Sequence, residues 1–469
     1  MPNRVERLRL DTQLLLRRGL PSNALKRRGS VEMKTPPRHD PIFVHASPRS
    51  SSTYFFNVLR RNHSLLCFNE AITDNARVAN EKDGIAAFRK SDAPRLNRQR
   101  TNLNHGFLDR ADFEEFIEAR DAVLHVFPKH QKFRNYLPRN GILQPELATY
   151  LAALIRHASD QNRRPVLCEI YSRGRAGALR NTFGGFHIAQ YRDPLSQFGS
   201  FLRLAIEQGW WFFLAFPIQE VSISGTHPLY QLIPERWRPP VLMWGLADSE
   251  RWATNAQCNA MAASEPDGME NVFRWHMFSW ILTNLAAISY SDFSLDIDKI
   301  YDDETYRAAA IDKLTSKIGG APDLSDVAKY NRYYEFQSFD VTTVCDQVVS
   351  SVNSALHDGR LEQTLRTLGN GSLIVPPAVG LELLVSKLRV SLTSMAASAD
   401  RVWISSGEWR AITKKHRRIW FEPRVRSLVK KVYPVAASAM HIMRRTGFTN
   451  VLSHLSSLNR MQKNYGSLR

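Results

Sequence analysis

Cysteine is scarce in this 469-residue chain: Cys67, Cys168, Cys258 and Cys345 lie far apart, with no C-x-x-C pair. That excludes a disulfide scaffold and a cysteine-rich zinc module. No run of 18 apolar residues occurs, so no bilayer-spanning helix is expected. The first 20 residues are interrupted by Arg4, Arg7, Arg9, Arg17 and Arg18 and contain no apolar segment of the secretory type. Metal-ligand spacings and internal repeats are also missing. A reducing, cytoplasmic setting without a metal is the simplest expectation.

Acidic charge is short at both ends. Residues 1–40 hold ten Lys/Arg against four Asp/Glu, and residues 401–469 hold fifteen against two. Of the net +18, residues 41–400 therefore carry −1. This divides the chain into a basic flexible extension (1–40), a near-neutral body (41–340) and a helical, strongly basic C-terminal region (341–469). Trp403, Trp409, Trp420 and Tyr433 punctuate the last segment. Basic ends of this kind solubilise a protein or bring it to a polyanion or an anionic membrane.

In the body, strand-length apolar runs alternate with helical patterns. Strands are expected at 42–46, 64–68, 123–127, 166–171, 186–191 and about 288–297, with helices at 54–59, 145–157 and 194–207. The span 341–400 reads as helical, with a Pro-Pro stop at 376–377. Such alternation implies βαβ units and a parallel sheet covered on both faces. The span 273–280, rich in Trp and Phe, is expected to pack as a core helix.

Ligands of open parallel sheets sit beyond the carboxyl ends of the strands. The residues that follow each expected strand are Ser47 to Thr53, Asn69-Glu70, Pro128-Lys129-His130, Ser172 to Arg175, and Arg192-Asp193-Pro194. Four cationic groups and one carboxylate on one rim suggest a polyanionic ligand such as a phosphate. The first turn, Ser47-Pro48-Arg49-Ser50-Ser51-Ser52-Thr53, is the strongest element. Its backbone N–H groups and the following helix N-terminus attract an anion. The G-x-x-x-x-G-K-[ST] sequence of nucleotide triphosphatases is absent, so ATP or GTP hydrolysis is not expected. A Ser-rich helix cap is the alternative use of the same residues. In the second element, Asp193 suits a helix cap and Pro194 the first helical position. Ser200 then lies about 10–12 Å along the helix from Arg192.

Taken together, Pro48-Arg49-Ser50-Ser51-Ser52-Thr53 and the Arg192/Ser200 pair resemble the two cofactor motifs of sulfotransferases that use 3′-phosphoadenosine-5′-phosphosulfate (PAPS). Ser51 stands where that family usually has glycine. The resemblance covers about residues 41–335 and implies a P-loop-type three-layer α/β fold. It implies that Arg49, Ser50, Ser51, Ser52, Thr53 and Tyr54 hold the 5′-phosphosulfate, and that Arg192 and Ser200 hold the 3′-phosphate. Arg49 would also stabilise charge on the bridging oxygen. Glu70 is the candidate base for an acceptor hydroxyl, with His130 as its rival and Glu169 a weaker choice. His45, inside a buried strand, reads as a core residue. Lys129, Arg173 and Arg175 either bind a charged acceptor or decorate the surface. Lys329 to Arg332 is a candidate flap over the adenosine.

The activity this implies is sulfuryl transfer from PAPS to a hydroxyl. The acceptor would be a carbohydrate or lipo-oligosaccharide, as for bacterial polysaccharide and nodulation-factor enzymes. No metal or nucleic acid would take part, and the basic C-terminal region would meet an anionic membrane surface. A non-catalytic polyanion- or membrane-surface-binding protein on the same fold is the alternative.

Overall fold

The computed structural model describes residues 40–73, 114–128, 136–222, 227–239, 258–264, 267–327 and 332–420. The N-terminal extension, the flap residues 329–331 and the segment after Trp420 lie outside these. So do Lys129 and His130.

Helices of two turns or more and all strands follow in this order: β1 (Ile42–His45), α1 (Ser52–Arg60), β2 (Leu65–Asn69), α2 (Pro145–Asp160), β3 (Arg164–Glu169), α3 (Ala176–Phe183), β4 (Phe186–Tyr191), α4 (Pro194–Gln208), α5 (Phe212–Ser222), α6 (Gly268–Ser289), β5 (Phe293–Asp296), α7 (Glu304–Ile318), β6 (Tyr333–Phe336), α8 (Val341–His357), α9 (Arg360–Leu368), α10 (Pro377–Ala397), β7 (Arg401–Ile404) and α11 (Ser406–Trp420). Five strands form a parallel sheet in the order β2-β3-β1-β4-β5. Strand period two decides which side chains face which layer. Phe43, Leu66, Phe68 and Leu167 pack against α2 and α3 on one face. Ile42, Val44, Cys67, Val166 and Ile188 pack against α1 and α7 on the other. With both faces covered, the sheet strands are mostly apolar and mostly buried. Full burial of a side chain such as Phe43 is worth about 1.5–3 kcal/mol.

A larger core lies beside the sheet, where α6 contacts α4, α5, α8 and α10. Helix α6 is buried nearly all round, Trp275 and Trp280 included, as expected of 273–280. Helices α8 to α10 join this same core, so apolar packing continues across residue 340.

Several elements differ from the sequence reading. Residues 123–127 form no strand: Arg120–Val123 is a short helix and a turn follows. Phe116, Ala119 and Val123 are buried at helical spacing, a signal hidden by the apolar run after them. The expected strand at 288–297 is only Phe293–Asp296, because α6 runs through Ser289. Pro376-Pro377 starts α10 rather than stopping a helix, with Pro377 at the first helical position. The C-terminal region is not wholly helical, since β7 pairs in parallel with β6.

Candidate functional site

The chain leaves β1 through a turn in which the Ser50 backbone N–H donates to the Ser47 carbonyl at 3.2 Å and the Ser50 hydroxyl to the same oxygen at 2.7 Å. Arg49 and Ser51 both take left-handed backbone angles, with φ of 63°. Ser51 thus adopts the conformation for which glycine is the easier residue. It precedes α1 without making a side-chain cap, so no side chain there takes up the helix's first N–H groups. Ser50 is buried, whereas Arg49 is exposed and Ser51, Ser52, Thr53 and Tyr54 are half-buried. The Tyr54 hydroxyl donates to Asp326 at 2.8 Å, which turns it away from a purely ligand-directed role.

Arg192 follows β4 and Ser200 lies on α4. Asp193 caps that helix, accepting from Leu195 and Ser196 backbone N–H groups at 2.8 and 2.9 Å. Arg49 Nε donates to Ser200 Oγ at 2.9 Å, and Arg192 Nη1 donates to the Arg49 carbonyl at 3.2 Å. The two motifs therefore meet. Their internal pairing differs from the expected one: Arg192 Nη2 reaches Ser196 at 3.1 Å, one turn short of Ser200. It is Arg49, crossing from the β1 loop, that contacts Ser200. Gly199 lets the chain entering β6 lie against this helix. A Cβ there would come within 2.2 Å of the Arg332 carbonyl, so the two backbones lie in contact.

Glu70 follows β2 at a positive φ of 51°, its N–H donating to the Cys168 carbonyl at 2.7 Å. Among the described residues, six non-glycine residues have positive φ; three are asparagines, which tolerate it, and the others are Arg49, Ser51 and Glu70. Backbone strain thus falls on the rim residues singled out for chemistry, a pattern typical of functional sites. Glu169 is buried one strand away. Its Oε1 accepts from the Ile72 N–H at 3.1 Å and its Oε2 has no hydrogen-bond partner. Burial first, and the Glu70 charge next, hold its carboxyl well above the usual range.

Residues that the sequence reading passed over hold the site in place. Gln190 Nε2 donates to the Ser50 carbonyl at 2.6 Å; Gln197 Nε2 donates to Ser47 Oγ at 2.5 Å and to the Pro48 carbonyl at 2.6 Å. Asp298 accepts from the Asp193 N–H at 2.6 Å and faces Arg192 at 3.7 Å. Lys387 of α10 reaches both Asp296 and Asp298, at 2.7 and 2.8 Å. Burial pushes the Asp298 carboxyl up, but Lys387 and Arg192 outweigh it and hold the group below its ordinary value. A glutamine in an otherwise apolar strand (Gln190) and a lysine in an apolar helix (Lys387) were the available signals.

Arg173 and Arg175 neither decorate the surface nor await a charged acceptor. Both are buried. Arg173 pairs with Glu220 and donates to Asn284 at 3.1 Å. Arg175 donates to the Tyr171 carbonyl at 2.6 Å and lies over the Tyr136 ring, with burial pulling its guanidinium down to about 10. His45 is a satisfied core residue. Its Nδ1 meets Ser172 Oγ at 2.8 Å and its Nε2 meets His187 Nδ1 at 2.9 Å, while His187 Nε2 donates to the Gly184 carbonyl.

Among the described residues, no cluster of three or more His, Cys, Asp or Glu is placed to hold a metal ion, and no helix is long and apolar enough to cross a membrane. No family model matches the chain, and neither a curated protein nor a solved structure matches it.

Proposed function

We propose that this protein is a P-loop-type sulfotransferase that moves the sulfuryl group of PAPS to a hydroxyl acceptor. One observation carries the reading: Arg49 and Arg192, 143 residues apart, meet with Ser200 beside the uncapped start of α1. Two guanidinium groups, a hydroxyl and a helix N-terminus gathered on one rim suit a polyanionic ligand. A nucleotide phosphorylated at both 3′ and 5′ positions is the polyanion that the motif resemblance favours. The missing loop lysine disfavours a triphosphate.

In this reading the exposed Arg49 faces the 5′ end and offsets charge that develops on the bridging oxygen. Arg192 and Ser200 hold the 3′ end. Glu70 takes the acceptor hydroxyl's proton as the new oxygen–sulfur bond forms and the bridging bond breaks, with adenosine 3′,5′-bisphosphate leaving. A carbohydrate or lipo-oligosaccharide is the proposed acceptor. Four buried free thiols suit a reducing, cytoplasmic setting. The basic C-terminal region would bring the enzyme to an anionic membrane surface.

Isothermal titration tests the donor: the protein should bind adenosine 3′,5′-bisphosphate in preference to ADP, and a preference for ADP would overturn the assignment. Glu70→Gln separates the enzyme from a non-catalytic polyanion binder. Sulfuryl transfer from radiolabelled donor should fall at least about 100-fold, while bisphosphate affinity stays unchanged.

A further inference from the structure

A small cavity opens beside the loop that follows β1. It is lined by Ser47 and Gln197 together with Arg173, His276, Ser279 and Trp280, and walled by Phe201, Phe216 and Pro217. At about 10 Å³ it has room for one water-sized group. Arg173, His276 and Trp280 are each at least nine-tenths buried, and each carries one polar atom without a hydrogen-bond partner: Arg173 Nε, His276 Nδ1 and Trp280 Nε1. Their other polar atoms are engaged. His276 Nε2 donates to the Pro194 carbonyl at 3.1 Å, so Nδ1 of the neutral ring presents a lone pair. The Arg173 fork is taken up by Glu220 and Asn284. Two N–H donors and one acceptor therefore remain on three residues that line one small space. A buried polar atom left unsatisfied is costly, so an occupant that meets all three is strongly favoured.

A hydroxyl group complements this set: its oxygen accepts two hydrogen bonds and its proton is donated once. An ammonium would meet two donors and the Arg173 charge. A carboxylate would meet the His276 lone pair, and the positive charge it needs is already balanced by Glu220. We infer that this cavity is a socket for one neutral hydroxyl, with Arg173 and Trp280 donating to the oxygen and His276 accepting its proton in a hydrogen bond. Assigning that hydroxyl to the acceptor rests on the sulfotransferase reading; the choice of hydroxyl over charged groups stands on the cavity itself.

The test uses the full chain labelled with 5-fluorotryptophan, with the Trp280 resonance identified by its loss in Trp280→Phe. Methanol, methylammonium and acetate are titrated in turn and followed by fluorine NMR. Methanol should shift the Trp280 signal saturably and the two ions should not. His276→Phe should weaken methanol binding about fivefold, the loss of one hydrogen bond. A signal that methanol never saturates would overturn the socket, as would equal responses to methanol and methylammonium. The comparison of the three ligands is read on the parent chain, and Trp280→Phe serves only to identify the signal. Calorimetry with adenosine 3′,5′-bisphosphate, run in parallel, reports on the donor site alone. Nucleotide binding without a methanol response defeats the socket and leaves the function standing; the reverse defeats the acceptor assignment and leaves the socket.

Discussion

Replacing Ser51 by glycine should stabilise the protein. The residue holds φ 63° and ψ 27°, and its side chain makes no capping hydrogen bond. A side chain in this left-handed region costs about 1–2 kcal/mol. Glycine removes that strain but adds about 0.4–1 kcal/mol of conformational freedom to the unfolded chain. The difference leaves a gain of about 0.5–1 kcal/mol for Ser51→Gly. Ser51→Ala keeps the strain and removes only an uncapped hydroxyl, so its stability should stay within about 0.5 kcal/mol of the parent. Urea unfolding of the three proteins, followed by tryptophan fluorescence, measures both differences. A glycine variant no more stable than the alanine variant would refute the strain argument. If the loop meets its ligand through backbone N–H groups, Ser51→Gly should also leave adenosine 3′,5′-bisphosphate affinity within about threefold.

Arg49→Ala should weaken adenosine 3′,5′-bisphosphate binding by about tenfold or more, the loss of a charge-assisted contact, with calorimetry as the measure. Lys387→Met should destabilise the fold by about 3–5 kcal/mol in urea, because it strips two buried carboxylates of their cation. His276 is held neutral, burial pushing its pKa down to about 3. The unfolded chain takes up a proton at this ring below about pH 6.5, whereas the folded chain does not until about pH 3, so the ring lowers stability as the medium is acidified. Against the parent, His276→Phe should show a pH slope flatter by about 1.4 kcal/mol per unit between about pH 6 and 4, read from urea midpoints. Equal slopes would show that the ring titrates in the fold.

The layers and the rim were legible in the residues because their signals are local. A buried parallel strand must be apolar on both faces, so 42–46 and 186–191 stand out, and Asp193-Pro194 marks the start of α4 through its own backbone chemistry. Loops after such strands share one edge, which brought Ser47 to Thr53, Glu70 and Arg192 into one list. Where local signals competed, the reading failed. The apolar run at 123–127 hid the helical spacing of Phe116, Ala119 and Val123, and an apolar run whose first two residues belong to α6 cannot be separated from that helix by hydropathy alone.

Which charge meets which partner was decided only in three dimensions. Arg49 rather than Arg192 touches Ser200, because strand order sets β1 and β4 side by side and brings the loop across α4. Arg173 and Arg175 have the composition of a surface cluster, yet Glu220, 47 residues from Arg173, arrives on α5 to neutralise one, and the Tyr136 ring covers the other. Lys387 secures the acid behind Arg192 from a helix far along the chain. Hydropathy and capping act over a few residues and are written in the order of the chain. A buried charge is stable only beside a partner that the fold delivers from elsewhere, so its role cannot be read before the packing exists.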